Sequence, residues 1–321
     1  MPNSDVAVLV VAYRRSSNLE TILKSCLENN YTNLYVALDA PKNPEAKEDV
    51  EACKNSLRAF GVRNNLNIKS KIADTNLGCS ISVLTACDWA FSKESFVIVI
   101  EDDCLPTQEF FNFVNDGKEV MASNPQIGMV GGSQFAPLEV TSDTWSLSDY
   151  PLIWGWATSR DRWHEIRRSY LSLGKNLNRG CFASYSEFIY WWAGTRRALS
   201  GFVDAWDTPL VYVFRTLELK VLLPGRNLIV NVGNDFAATH TKAESLLLNL
   251  ETGSYHKSNS QPLDNRVLNK WQRRKLFRIS PRHILSTKLT RLKDIARKNA
   301  LNQTPLIARW EAASTKNEFI N

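Results

Sequence analysis

Apolar and polar positions alternate in blocks along the first 130 residues. Residues 6–13 form an unbroken apolar run, and the spacing predicts a buried strand. Ser16 or Ser17 can then cap a helix in which Leu19, Ile22, Leu23, Cys26 and Leu27 share one face. A second strand is expected over 34–38, ending at Asp39-Ala40-Pro41, and a polar helix over 44–60. A weaker third strand, 66–72, leads through the turn Asn76-Leu77-Gly78 into a helix over 81–91. Residues 96–100 read as a fourth strand, 107–121 as a helix and 128–132 as a short strand. Strands alternating with helices at this spacing predict an α/β, Rossmann-like fold: a mainly parallel, doubly wound sheet with right-handed crossovers.

The blocks lose their regularity after Gly132. Aromatic residues crowd in, among them Phe135, Trp145, Tyr150, Trp154, Trp156 and Trp163, then Tyr185, Phe188, Tyr190, Trp191, Trp192 and Trp206. Such rings suit a sugar-binding cleft, because pyranose C–H faces are apolar, and they equally suit a packed core. In Trp154-Gly155-Trp156 the glycine permits close backbone approach, and the flanking rings either line a pocket or pack the second half onto the sheet. A helix end and a strand over 227–232 follow, then a loop over 231–241 that carries His240.

The fourth strand changes the chemical picture. Its apolar run ends in three consecutive carboxylates, Glu101, Asp102 and Asp103. These acids stand at the carboxyl end of a core strand, where open α/β sheets bind ligands. Adjacent carboxylates repel one another, and a divalent cation completed by substrate phosphates would relieve them. The plainer alternative is an acidic turn capping the next helix.

Composition adds limits. The chain has 321 residues, 44% hydrophobic and 22% charged, as expected of an ordinary folded protein. No apolar run approaches the roughly 18 residues that span a bilayer. Six cysteines without a C-x-x-C pair, and no secretory signal, predict reduced thiols and a cytoplasmic location. The net charge of +6 is unevenly placed: residues 271–298 hold ten Lys/Arg and one acid, whereas residues 1–270 hold 27 bases and 30 acids. Leu285, Leu289, Leu292 and Ala296 recur at helical spacing within that basic stretch. A basic amphipathic helix predicts contact with an anionic membrane surface through residues 271–298, hence a peripheral position on the inner face of the cell membrane. No nucleic-acid motif appears, so no nucleic-acid partner is expected.

There is no Walker loop, G-x-G-x-x-G, H-E-x-x-H or G-x-S-x-G, which moves P-loop ATPases, classical dinucleotide oxidoreductases, zincins and α/β-hydrolases down the order. Four blocks that remain are residues 8–15, Val99-Ile100-Glu101-Asp102-Asp103, Ile153-Trp154-Gly155-Trp156-Ala157-Thr158, and Asn231-Val232-Gly233 with Ala238-Thr239-His240-Thr241. In this order they make the chain resemble GT-A-fold nucleotide-sugar glycosyltransferases of the family-2-like type that build bacterial surface polysaccharide. More distantly, the chain resembles the N-acetylglucosaminyltransferase I group. The resemblance implies a GT-A fold, with residues 1–132 as the nucleotide-sugar-binding half, 133–250 as the acceptor and catalytic half, and 251–321 as a basic extension. It implies Mn²⁺ or Mg²⁺ held by Asp103 and Glu101, with His240 as a further ligand. Arg14, Asp39, Asp102, Trp154 and Trp156 are then expected at the donor, and Asp207 or Asp204 as catalytic base. The implied partners are a nucleotide-sugar donor, UDP-linked by preference, and a saccharide or lipid-linked acceptor.

Each residue keeps a plainer reading. Arg14 can be a solvated strand end, Asp39 an Asx-type turn before Pro41, and Asp207 a helix N-terminal charge before Pro209. Two rival functions stand beside the transferase. A sugar-1-phosphate nucleotidyltransferase would be expected to carry a glycine-rich basic loop where this chain has Tyr13-Arg14-Arg15-Ser16. A non-catalytic membrane or polyanion-binding protein would use the tail alone.

Overall fold

The apolar runs of the first half become strands that are covered on both faces. In β1 (Ala7–Ala12) every residue is buried, and in β4 (Phe96–Glu101) every residue except Glu101. Between them lie α1 (Ser16–Glu28), β2 (Leu34–Leu38), α2 (Lys47–Arg63), β3 (Lys69–Ile72) and α3 (Cys79–Lys93). The computed structural model describes residues 5–141, 144–173, 179–233, 250–257, 261–262, 264–281 and 305–315. His240 and the stretch 282–298 of the basic tail lie outside the described residues.

The first four strands pair in parallel, in the order β3-β2-β1-β4. Side chains alternate across them. Ala7, Leu9 and Val11 enter one core with Val97 and Val99, whereas Val8, Val10 and Ala12 enter the other with Ile98 and Ile100. Helices therefore cover both faces, α3 on the first and α1 and α2 on the second. Each fully covered Val or Ile contributes about 1.5–3 kcal/mol by leaving water, which is why these strands tolerate no polar interruption.

The remaining elements are β5 (Cys104–Pro106), α4 (Gln108–Ser123), β6 (Ile127–Gly131), β7 (Trp145–Ser148), β8 (Trp156–Ser159), α5 (Arg160–Ser172), α6 (Tyr185–Leu199), α7 (Asp207–Thr216), β9 (Lys220–Pro224), β10 (Ile229–Asn231), α8 (Arg266–Trp271) and α9 (Leu306–Thr315). They extend the sheet to β3-β2-β1-β4-β8-β6-β9-β7. The strand β8 runs antiparallel to both neighbours and separates β4 from β6. Four of the seven pairings in this sheet are parallel, so the mainly parallel α/β expectation holds.

Two local expectations are corrected. The cap position of α1 is Arg15 rather than a serine, and no side chain caps that helix; the Arg15 guanidinium is drawn instead to Asp102. The block around Trp156 is a central strand rather than an irregular segment. In the tail, residues 264–276 are stitched to β7. Asn265 donates to Val140 O (3.1 Å), Asn269 accepts from Asp149 N (2.8 Å) and Gln272 accepts from Ser148 Oγ (2.8 Å). Among the described residues no helix is long and apolar enough to cross a membrane.

The aromatic crowd is mostly core. Trp156, 1% exposed, sits 5.9 Å from Trp206 and 6.3 Å from Trp163, and Trp163 stacks on Phe91 at 5.4 Å. Trp154 is half-buried, edge-on to Phe135 at 4.8 Å.

Candidate active site

Parallel pairing brings the carboxyl ends of β1, β2 and β4 to one edge of the sheet. The register sets Val11 beside Glu101 and Ala12 beside Leu38, so the residues that follow each strand meet there. They line a cavity of about 230 Å³ together with the start of α3. Its walls hold five carboxylates, Asp39, Glu101, Asp102, Asp103 and Asp204, against three cations, Arg14, Arg15 and Lys42.

The middle acid of the triplet is neutralised within the protein. Asp102 is buried and accepts from Arg15 Nη1 at 2.8 Å and from Tyr13 N at 2.7 Å. Asn18 Nδ2 donates to its backbone carbonyl at 3.0 Å. Asp102 thus ties the β4 turn to the loop after β1. Arg15 is not among the residues expected at the site from sequence; the available signal is its position in Arg14-Arg15 after β1, and both arginines line the cavity.

Among the described residues, neither Glu101 nor Asp103 forms an ion pair like that of Asp102. Burial pushes Glu101 well above the usual carboxylate range, and Asp103, Asp207 and Asp102 add repulsion that Arg15 only partly offsets. Burial also raises Asp103, against a hydrogen bond that Cys104 Sγ donates to its Oδ1 at 3.2 Å. A two-stranded ribbon of β5 and β10 carries Asn231-Val232-Gly233, the described part of the fourth sequence block, to the same place. Val232 N donates to Asp103 O at 2.8 Å, and a side chain on Gly233 would stand 2.5 Å from Asp103 Oδ2. The ribbon thereby closes one side of the acidic turn.

Two other carboxylates shape the rim. Asp39 Oδ1 accepts from Ala40 N and Leu77 N, both at 2.8 Å; its Oδ2 accepts from Gly78 N at 3.0 Å and Asn76 Nδ2 at 3.1 Å. Burial, with lesser repulsion from Asp204, nevertheless pushes Asp39 up to about 6. Asp204 receives the first two amides of α3, Cys79 N at 2.9 Å and Ser80 N at 3.0 Å. It occupies the helix N-terminus that an anionic ligand would otherwise use. Gly78 has φ +78°, and a Cβ there would lie 2.7 Å from Asp204 Oδ2, so both conformation and space require glycine.

Arg14 lines the cavity and pairs with Asp49 of α2 through Nε (2.9 Å) and Nη2 (2.7 Å), an ion pair that is partly exposed on both sides. Asp207, the first residue of α7, lies near enough to raise Glu101, Cys79, Tyr170 and Tyr190. Trp154 and Trp156 are not among the residues that line the cavity. The structure thus gathers Arg14, Asp39, Glu101, Asp102, Asp103 and Asp204 in one place and sends Trp156 to the core.

Among the described residues, no group of three or more His, Cys, Asp or Glu side chains is poised to hold a metal by itself. The donor set still suits a hard cation. Mg²⁺ and Mn²⁺ are commonly held through one or two carboxylates, with phosphates and water completing the shell. Glu101 and Asp103 are half-buried oxygen donors whose mutual repulsion such an ion would relieve.

No family model matches the chain, and no curated protein matches it in sequence. Solved structures resemble it in part. A mannosyltransferase from Pyrobaculum calidifontis, in complex with GDP-Man and Mn²⁺, is 16% identical over 51% of this chain and 46% of its own, with a TM-score of 0.37. The chain therefore spans less than half of that protein. A 4-diphosphocytidyl-2C-methyl-D-erythritol synthase from Anaerococcus prevotii is 9% identical over 59% of this chain and 84% of its own, at 0.35. A UDP-glucose pyrophosphorylase complexed with UDP-glucose is 8% identical over 68% of this chain and 89% of its own, also at 0.35.

Proposed function

We propose that this protein is a metal-dependent glycosyltransferase that moves a sugar from a nucleoside-diphosphate donor to a saccharide or lipid-linked acceptor. The observation that carries the reading is the pair Glu101 and Asp103, two half-buried carboxyl groups that raise each other's cost of ionising, at the carboxyl edge of a parallel sheet and lining a cavity. Sugar transfer builds negative charge on the leaving diphosphate and positive charge at the anomeric carbon. A bound Mn²⁺ or Mg²⁺, held by Asp103 and Glu101 and in the family pattern also by His240, supplies charge neutralisation to the diphosphate.

The chain's own groups do the rest. Arg14 can turn from Asp49 toward the donor, because a partly exposed ion pair is worth only about 0–1 kcal/mol. Arg15 and Asp102 hold the β1 loop and the β4 turn in fixed relation. Asp39 shapes the wall against which the nucleoside would lie. Of the two candidate bases, Asp204 lines the cavity but is engaged by two helix amides, and Asp207 lies outside the cavity lining yet near enough to repel Glu101; we carry Asp207 forward as the base to test. Asp207 would take the acceptor hydroxyl's proton as the glycosidic bond forms, with inversion at the anomeric carbon. The half-buried Trp154 and Phe135 are candidates for the acceptor side, and the bases within 271–298 would hold the protein on an anionic membrane surface.

Incubation with a panel of nucleotide sugars and Mn²⁺ tests the reading. Slow release of UDP or GDP, lost on chelation, is expected. Pyrophosphate-dependent turnover would assign the rival nucleotidyltransferase instead. An absence of both turnover and metal-dependent nucleotide binding would leave the membrane-binding alternative. Flotation with anionic liposomes tests the tail, and equal flotation after deletion of residues 271–321 would remove it from the account.

A further inference from the structure

The last described helix, α9, reaches the turn that forms part of the cavity rim. Leu306 and Trp310 of α9 are buried against the same core as α3 and α5, with Trp310 edge-on to Tyr170 at 5.3 Å. Its anchor is a single carboxylate on α3. Asp88 accepts from Trp310 Nε1 (2.9 Å) and Ser314 Oγ (3.1 Å) of α9, and from Trp163 Nε1 (2.9 Å) and Arg167 Nε (2.9 Å) of α5. Arg167 also lies over the Trp310 ring, 5.1 Å from its centroid. This arrangement fixes α9 along α3 and delivers the neighbouring residue, Arg309, to the start of that helix.

There Arg309 Nη2 donates to Leu77 O at 2.5 Å, and it lies 3.7 Å from where a Gly78 Cβ would be. The turn 76–80 is thus held from three directions. Asp39 of the β2 end grips the Leu77 and Gly78 amides, Asp204 grips those of Cys79 and Ser80, and Arg309 grips the Leu77 carbonyl. Asn76, Gly78 and Cys79 of this turn line the cavity. Both carboxylates pull on N–H groups; Arg309 holds the turn from the carbonyl side at Leu77, beside the Ser82 N–H that donates to Gly78 O at 3.0 Å, and as a cation it also offsets the carboxylates' charge.

We infer that Arg309 is a positioning residue for the cavity rim, carried there by a helix clasped to Asp88. Naming the cavity's occupant as a nucleoside diphosphate rests on the function proposed above; the clasp itself does not. A guanidinium–carbonyl bond is a charge-assisted one, so its loss should be felt as roughly a tenfold change.

The four amides from Leu77 to Ser80 are all bonded to carboxylates, so their hydrogen exchange reports the rim directly. Exchange is followed by mass spectrometry in the full chain for the wild type, Arg309→Ala, Arg309→Gln and Arg309→Lys. The expected result is exchange at residues 77–80 about tenfold faster in Arg309→Ala, with strands β1 and β4 unchanged, Arg309→Gln intermediate and Arg309→Lys largely restored. Calorimetry with UDP and Mn²⁺ should show a parallel loss of affinity of similar size. Unchanged exchange at 77–80 would overturn the inference, and so would faster exchange spread evenly over the sheet in all three variants. Faster local exchange with unaltered nucleotide affinity would overturn the role at the cavity. A wild type that binds no nucleotide would instead refute the proposed function, while the exchange result still decides the clasp.

Discussion

Strands β1, β2, β3 and β4 stand side by side in parallel, whereas β6, β7, β8 and β9 are interleaved and change direction at nearly every step. The first group is built from local rules. An apolar run makes β1, β2 and β4, with the polar β3 added at the edge; the next helix makes each crossover, and the carboxyl ends align without further instruction. The second group has no such guide. The strand β8 has only four residues, and it pairs with Val99, which lies in a different part of the chain. Aromatic packing rather than periodicity holds it in place. The chemistry follows the same division, because the regular half supplies the acidic edge and the irregular half supplies the groups that close over it.

The largest effect expected concerns Asp207. If it is the base contributed by the irregular half, Asp207→Asn lowers kcat by about 10²–10⁴-fold and leaves donor affinity nearly unchanged. Asp103→Ala, on the regular half, should instead abolish the Mn²⁺-dependent gain in nucleotide affinity. Steady-state kinetics beside calorimetry separates the two, and a similar kinetic profile for both variants would erase the division of labour.

Packing of the irregular half gives the next effect. Trp156→Ala removes a fully buried ring between Trp163 and Trp206 and should cost about 3–5 kcal/mol in urea denaturation. Trp154→Ala, half-buried, should cost markedly less. Equal losses would mean that the strand β8 is not fixed by the Trp156 ring.

This contrast explains what could be read from the residues alone. Four strands, their helices and the convergence of Arg14, Asp39, Glu101, Asp102 and Asp103 follow from apolar runs with charge at their ends, a signal contained within a few residues of each strand. The reach of Asp204 to Cys79 spans 125 positions, and that of Arg309 to Leu77 spans 232, so no local pattern announces either. Trp154 and Trp156 look alike in sequence, but Trp156 opens β8 whereas Trp154 precedes it across Gly155, whose φ is +63°, and only Trp156 goes fully inside. Arg14 and Arg15 differ likewise, since only Arg15 turns under the β4 acids.

A pH effect sharpens the boundary between the halves. Asp39 rises from 3.8 to about 6 on folding, so between those values the folded state holds its proton more tightly than the unfolded chain. Its stabilising contribution is full below about pH 4 and is lost as pH rises through 6, a change of up to about 3 kcal/mol. Denaturation midpoints of the wild type and Asp39→Asn between pH 4 and 7.5 measure it. The variant should show the flatter profile, and identical slopes would rule out this carboxyl as the source.

The smallest effect tests Asp204, one of the side chains by which the irregular half holds the start of α3. Asp204→Ala leaves the Cys79 and Ser80 amides of α3 without their acceptors, and the loss of a helix cap of this kind costs about 0.5–2 kcal/mol. It also removes a negative charge that helps to raise Asp39, so the pH window of Asp39 should move downward in the same variant. Stability and titration are then read together, by denaturation and by carboxyl-carbon NMR of Asp39. A loss of stability with no movement of Asp39 would mean that Asp204 serves α3 alone. Movement in the expected direction would show that a residue from beyond the regular half sets the charge state of its wall.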